Sequence, residues 1–109
     1  MTTVQHLATT NTVLLTIQMP AALEDDMADL LQQAGQVSGF SILKGEGMGE
    51  TVRLLSPLER VLGRCDQRIV LITGAHEPLK TLLSKLAMQL RNPEIRYWLT
   101  PVIESGSLA

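Results

Sequence analysis

A glycine-rich stretch, KGEGMGE, spans Lys44 to Glu50 and directly follows an apolar run. Glycine-rich loops bind phosphate when their backbone N–H groups converge on it, usually with a helix beginning directly afterwards. No helical pattern follows this stretch, and the carboxylates of Glu46 and Glu50 would repel an anion. We therefore interpret the stretch as a mobile arm that binds another protein. Its partner-contacting residues would be Glu46, Met48, Gly49 and Glu50.

Two arginines, Arg64 and Arg68, lie close together in GRCDQR, about twenty residues further along the chain. Guanidinium groups bind carboxylates and phosphates through paired hydrogen bonds, so these two could form a small anion site. They could equally be solvated, or bridged to the carboxylates of Asp66 and Glu59. The sequence leaves both interpretations open.

Cys65, between the two arginines, is the only cysteine of the chain, so an internal disulfide is excluded. Neighbouring cations favour a reactive thiolate, whereas a lone cysteine is more often a small buried side chain. A soft ion such as Cu(I) or Ag(I) could be bound by Met48 and Cys65, with His6 or Met1 as further ligands. Binding of a transition metal (Cu, Ag, Zn or Co) is therefore an alternative, although the chain has no Cys-x-x-Cys or His-x-His motif.

Hydrophobic patterning predicts four strands and two main helices around these residues. β-branched and apolar runs predict strands over 12–19, 39–44, 68–73 and 94–101. Helices are predicted to open at Pro20 and Pro78, each with apolar residues at spacings of three and four. Gly35 is expected to end the first helix at its C′ position, and the Asn92–Pro93 pair to end the second.

The long connection over 45–67 contains one further helical signal. Ser56, Pro57 and Glu59 have the spacing of a capping box, which predicts a short helix near 57–62. Residues 1–11 are expected to form a flexible tail, 12–104 one domain, and 105–109 a C-terminal tail.

The order β-α-β-β-α-β predicts a ferredoxin-like α+β fold, with a four-stranded antiparallel sheet and both helices on one face. Strands with one wet face should alternate apolar and polar residues, but 69–72 and 13–15 are apolar without a break. The second face would then expose more apolar surface than a monomer usually does. The tails could cover it, but we predict that further copies of the chain do.

Composition excludes several classes of protein. With 109 residues, 18% charged residues and a net charge of −2, the chain lacks the basic face of a nucleic-acid-binding protein. Its apolar runs are too short to span a membrane, and its N-terminus is unlike a signal peptide, so we expect a cytoplasmic protein. No nucleophile and histidine have the spacing of a catalytic site, so we predict that it is not an enzyme.

The segments IQMPAALEDDMADLLQQAG, VSGFSILKGEG and RIVLIT resemble the PII signalling proteins, in which a strand ending in Lys-Gly-x-Gly enters a long T-loop. LERVLGRCDQRIVLI and IRYWLTPVIESGSL resemble a PII-like subgroup whose genes commonly lie beside heavy-metal efflux pumps. The resemblance implies a trimer with its sheets packed inward. It also implies an effector site in the cleft between subunits, formed by Lys44, Gly45, Gly47, Gly63, Arg64 and Arg68.

The chain departs from the PII pattern where that family binds ATP and 2-oxoglutarate. Between the second helix and the last strand it has RNPEIR, without the glycines that surround a phosphate, and Met48–Gly49 replaces the family's Arg-Gln pair. We therefore expect neither classical ligand. The sequence predicts a non-catalytic regulatory or adaptor trimer whose small effector orders 45–67 for docking on a target protein, such as a metal-efflux transporter. The alternative is a soft-metal-binding protein that serves an efflux system.

Overall fold

The computed structural model describes residues 11–48 and 64–109. Strand β1 spans Thr12–Pro20 and leads through a 3-10 turn, Ala21–Leu23, into helix α1, Glu24–Gln33. Strands β2, Ser41–Met48, and β3, Arg64–Ala75, follow, then helix α2, His76–Leu90, and strand β4, Arg96–Pro101. The four strands form one sheet in the order β2-β3-β1-β4.

All three strand pairings are antiparallel, which confirms the ferredoxin-like α+β fold. Directly paired residues share a face of the sheet, so the register assigns every strand residue to one of two sides. Ile17 lies opposite Val70 on β3 and opposite Tyr97 on β4. These residues define the side that the helices cover.

The hydrophobic core lies between this side of the sheet and both helices. Its buried members are Leu15, Ile17, Met19, Met27, Leu31, Val70, Ile72, Leu79, Leu82 and Leu86. The helical members recur at spacings of three and four, as the sequence predicted. Each fully buried aliphatic side chain contributes roughly 1.5–3 kcal/mol, so this stripe fixes both helices on the same face.

The helix starts differ from the prediction. Pro20 is the last residue of β1 and has extended backbone angles, and α1 begins only at Glu24, after the 3-10 turn. α2 begins at His76, two residues before Pro78. A proline is tolerated there because the N–H groups of the first helical turn have no intrahelical partner.

The helix ends also show how the chain turns. α1 stops because Ala34 is extended, and Gly35 follows it without a left-handed backbone, so the predicted C′ glycine has the position but not the conformation. α2 ends at Arg91, whose φ of 44° is left-handed and whose N–H donates to the carbonyl of Ala87. The residues after Arg91 are thereby directed towards β4.

β2 and β3 extend beyond the predicted strands. β2 continues to Met48 and β3 begins at Arg64, so Gly45 and Gly47 lie within a strand and not in a loop. The interpretation of the glycine stretch as a mobile arm is therefore wrong for its first part, up to Met48. Gly49, Glu50, Gly63 and the predicted helix near 57–62 lie outside the described residues.

The side of the sheet away from the helices is apolar at its centre. It carries Leu14, Leu43, Ile69, Leu71 and Trp98, none of which packs against the core. Leu43 and Trp98 expose 47% and 46% of their surface. We call these five residues the open face. They agree with the predicted second apolar surface.

Candidate functional site

A two-stranded ribbon extends from the main sheet at the end of β2 and the start of β3. β1 pairs with β3 only as far as Pro20, which lies opposite Gln67. β2 and β3 continue to pair beyond that point, with Gly47 opposite Cys65 and Met48 opposite Arg64. The ribbon comprises 44–48 and 64–68, and the connection over 49–63 begins and ends at its tip.

The helix side of the ribbon carries rows of charged residues. Lys44 lies opposite Arg68, and Glu46 lies opposite Asp66. Like charges face each other in each pair, while diagonal neighbours carry opposite charges. Diagonal neighbours on a sheet lie within reach of long side chains, so the rows offset each other's charge.

Arg68 is neutralised by a residue of another element. Its Nε donates to Oε1 of Glu24 at 2.7 Å, and one terminal nitrogen donates to the carbonyl of Gln67 at 3.0 Å. The arginine side chain is only 18% exposed, whereas that of Glu24 is 38% exposed. The first turn of α1 is thereby fixed to the base of the ribbon.

Lys44 is the cation nearest in register to this pair. Directly opposite residues of an antiparallel pair have Cα atoms about 4.5–5.5 Å apart. Arg64, by contrast, lies four residues from Arg68 on the same strand, about 13 Å away at the usual rise per residue. An anion at the base of the ribbon would therefore meet Lys44 and the Arg68–Glu24 pair first. Arg64 would be a more distant contributor.

The other side of the ribbon is uncharged and close-packed. Gly45 lies opposite Gln67 and Gly47 opposite Cys65, and the last three of these residues are buried. The side-chain amide of Gln67 donates to Sγ of Cys65 at 2.7 Å. Because a buried amide is costly without a partner, this contact stabilises both side chains. Cys65, 2% exposed, has the buried character that was one of its two interpretations.

The predicted site residues are therefore divided between the two sides of the ribbon. Lys44 and Arg68 share the helix side, and Gly45 and Gly47 lie on the opposite side. Met48 and Cys65, the predicted metal ligands, are also on opposite sides, so their side chains diverge. Within 11–48 and 64–109, no three His, Cys, Asp or Glu side chains are grouped as metal ligands. His6 and Met1 lie outside these ranges.

Sequence reasoning missed two residues of this site. Glu24 was recognisable only as an acid suited to the start of a helix, because its partner lies 44 residues away along the chain. Gln67 had no local signal at all, since a glutamine is normally exposed. His76 is an exposed residue at the start of α2, in keeping with a surface role.

Neither main helix, nor the 3-10 turn between β1 and α1, is long and apolar enough to cross a membrane.

Comparison with solved structures shows the same fold in PII-like proteins. A DUF3240 family protein from Shewanella baltica OS155 aligns with a TM-score of 0.73 and 23% identity, covering 92% of this chain and 99% of its own. CPII from Thiomonas intermedia K12, a nitrogen regulatory PII-like protein bound to ADP, AMP and bicarbonate, aligns at 0.63 and 18% identity, with 84% and 89% covered. A PII-like signalling protein from Thermus thermophilus aligns at 0.57 and 17% identity, with 84% and 86% covered.

No curated protein matches the chain. A family model described as "Protein of unknown function (DUF3240)" matches residues 9–109, which is nearly the whole sequence. The chain therefore belongs to the DUF3240 family.

Proposed function

We propose that this chain is a non-catalytic regulatory protein of the PII-like kind, active in the cytoplasm. It binds a small effector at the base of the ribbon, and the bound effector orders residues 45–67 for docking on a target protein. The observation that carries the proposal is the position of Lys44 opposite Arg68, directly below the connection that the effector would control. Metal-efflux transporters are one class of target, through the resemblance noted above.

The functional unit in this proposal is a homotrimer assembled through the open face. Leu14, Leu43, Ile69, Leu71 and Trp98 form an apolar surface that a sister sheet would cover. Burial contributes about 25 cal/mol per Å² of apolar surface removed from water, which favours association over exposure. In a trimer, each ribbon base would border a neighbouring subunit and form a cleft with it.

The effector is proposed to be a small anion. Lys44 is exposed, while Arg68 holds a carboxylate that an anion could replace. The exchange would release Glu24 from the ribbon, so effector binding and the packing of α1 would be linked. ADP, AMP and bicarbonate, which CPII binds, are the first probes to test. A ligand that favours one arrangement of the connection shifts the population towards it.

The test is hydrogen exchange of the full chain with and without each probe. We expect slower exchange over 45–67 with at least one of ADP, AMP or bicarbonate. Lys44→Gln should weaken that ligand by a few-fold, because an exposed ion pair contributes only about 0.2–1 kcal/mol. Lys80→Gln, which removes an exposed charge on α2, is the matched control and should leave binding unchanged.

If no probe alters exchange over 45–67, or if Lys80→Gln weakens binding as much as Lys44→Gln, the proposal fails. Cu(I), Ag(I), Zn(II) and Co(II) belong in the same experiment, because a soft-metal-binding protein is the alternative function. A site that joins Met48 and Cys65 would require ligands from a second chain, since the two side chains leave opposite sides of the ribbon.

A further inference from the structure

A cavity of about 410 Å³ lies between α2 and the first half of β4, on the helix side of the sheet. Its floor is formed by Ile17, Met27 and Leu86, which are 1%, 0% and 6% exposed. Pockets that bind small molecules measure roughly 300–1,000 Å³ and are mostly apolar, so this cavity lies near the lower end of that range. It contains none of the residues assigned to the ribbon site.

The cavity exists because the helices leave the edge strand partly uncovered. Tyr97 lies directly opposite Ile17 on the same side of the sheet, yet it is 56% exposed. α2 ends at the left-handed Arg91, and the segment that follows forms one wall of the cavity. The apolar floor therefore opens to solvent between α2 and β4.

Charge at the opening favours an anionic group. Among the described residues that line the cavity, Arg91 is charged and none is acidic. Nε of Arg91 donates to the carbonyl of Met88 at 3.2 Å, which leaves the terminal nitrogens of the exposed guanidinium for a ligand. Oδ1 of Asn92 accepts from the N–H of Glu94 at 2.8 Å, so the amide nitrogen of Asn92 is a second available donor.

We propose that this cavity binds a small monocarboxylate with an apolar body. The hydrocarbon part packs against Ile17, Met27 and Leu86, and the carboxylate accepts hydrogen bonds from Arg91 at the opening. An apolar interior with a few polar groups at one end is the usual arrangement of a small-molecule site. Because the lining is apolar on every side of the floor, chain length should determine affinity and the arginine should determine charge preference.

Calorimetric titration of the full chain with hexanoate, octanoate and 1-octanol tests both expectations. Each buried methylene contributes about 0.8 kcal/mol, or roughly fourfold, so octanoate should bind about 15-fold more tightly than hexanoate. Arg91→Gln should weaken octanoate roughly threefold, as expected for an exposed ion pair, and leave 1-octanol unchanged. Lys44→Gln should leave octanoate unchanged, which separates this site from the ribbon site.

A second variant fills the cavity without touching the core. Ala87 is an exposed residue of α2 that lines the cavity, so Ala87→Phe places a ring inside it and should weaken octanoate by tenfold or more. Thr81→Phe, at an exposed position of α2 outside the cavity, is the matched control and should bind octanoate normally. Both variants should retain the circular dichroism of the parent chain.

Three outcomes would overturn the proposal. They are an absence of saturable octanoate binding to the parent chain, equal affinities for hexanoate and octanoate, and normal binding by Ala87→Phe. If octanoate fails to bind because a second copy of the chain fills the cavity, chemical crosslinking from Ala87→Cys will show that contact. That result would likewise reject the site.

Discussion

Nε of Arg68 on β3 donates to Oε1 of Glu24, the first residue of α1, over 2.7 Å. The two residues are 44 positions apart in sequence, and their contact joins the start of a helix to the base of the ribbon. Arg68 is thereby held on the helix side, opposite Lys44. The contact is both a modest structural link and the natural point at which an incoming anion could compete.

Removing the carboxylate of this pair should lower stability and increase anion binding. In Glu24→Gln, we expect the free energy of unfolding to fall by up to about 1 kcal/mol, because the pair is partly exposed to solvent. We also expect tighter binding of any anion that occupies the ribbon base, since Arg68 no longer has a competing carboxylate. Urea unfolding and ligand titration measure the two effects.

Glu77→Gln is the matched control for that variant. It removes the same charge from a side chain that is 82% exposed, and it should change neither stability nor anion binding. Weaker anion binding by Glu24→Gln would show that the pair itself builds the site, contrary to the competition described above.

Gly45 should tolerate a methyl group as far as the single chain is concerned. A Cβ at this position would meet Cδ1 of Ile69 at 3.5 Å, which is ordinary contact, and the backbone is not left-handed. Gly45→Ala should therefore leave the free energy of unfolding unchanged or raise it by up to about 1 kcal/mol, because alanine has less freedom in the unfolded chain.

Gly35→Ala, where nothing lies within 4 Å of the added Cβ, provides the comparison. A large loss of stability specific to Gly45→Ala would mean that the open side of the ribbon packs more closely than this geometry allows. If stability is unchanged but trimer formation or effector binding is lost, the glycine is required by the assembled protein.

The thiol of Cys65 should react slowly in the native protein. Its side chain is 2% exposed and accepts a hydrogen bond from Gln67, so a reagent reaches it only when the ribbon opens. We expect labelling by a disulfide reagent to be about a hundredfold slower, or more, than in urea. A native rate close to the denatured rate would instead support the reactive thiolate that the neighbouring arginines suggested.

A charge on the open face should disrupt the proposed trimer. Leu43 is 47% exposed in the single chain, so Leu43→Glu should fold normally but resist burial against a sister sheet. Sedimentation should then give the mass of a monomer at concentrations where the parent chain is trimeric. Met88→Glu, at a 70% exposed position on α2, should remain trimeric. A monomeric parent chain would contradict the assembly directly.

The order and type of the elements were predictable from sequence because their signals are local. Apolar residues three and four apart predicted α1 and α2, and β-branched runs predicted all four strands. The boundaries were less accurate. β2 and β3 run several residues past their apolar runs, since pairing with each other satisfies their backbone groups even where glycines interrupt the pattern.

The sequence by itself determined which segments become helix or strand and which side chains form the core, because hydrophobic periodicity is read within a few neighbouring residues. Only the tertiary structure decided that Lys44 meets Arg68, that Glu24 neutralises Arg68, and that Met48 and Cys65 point apart. These relationships depend on strand register, and a shift of one residue would exchange the two sides of the ribbon. Register is set by contacts between distant segments, so no local pattern contains it.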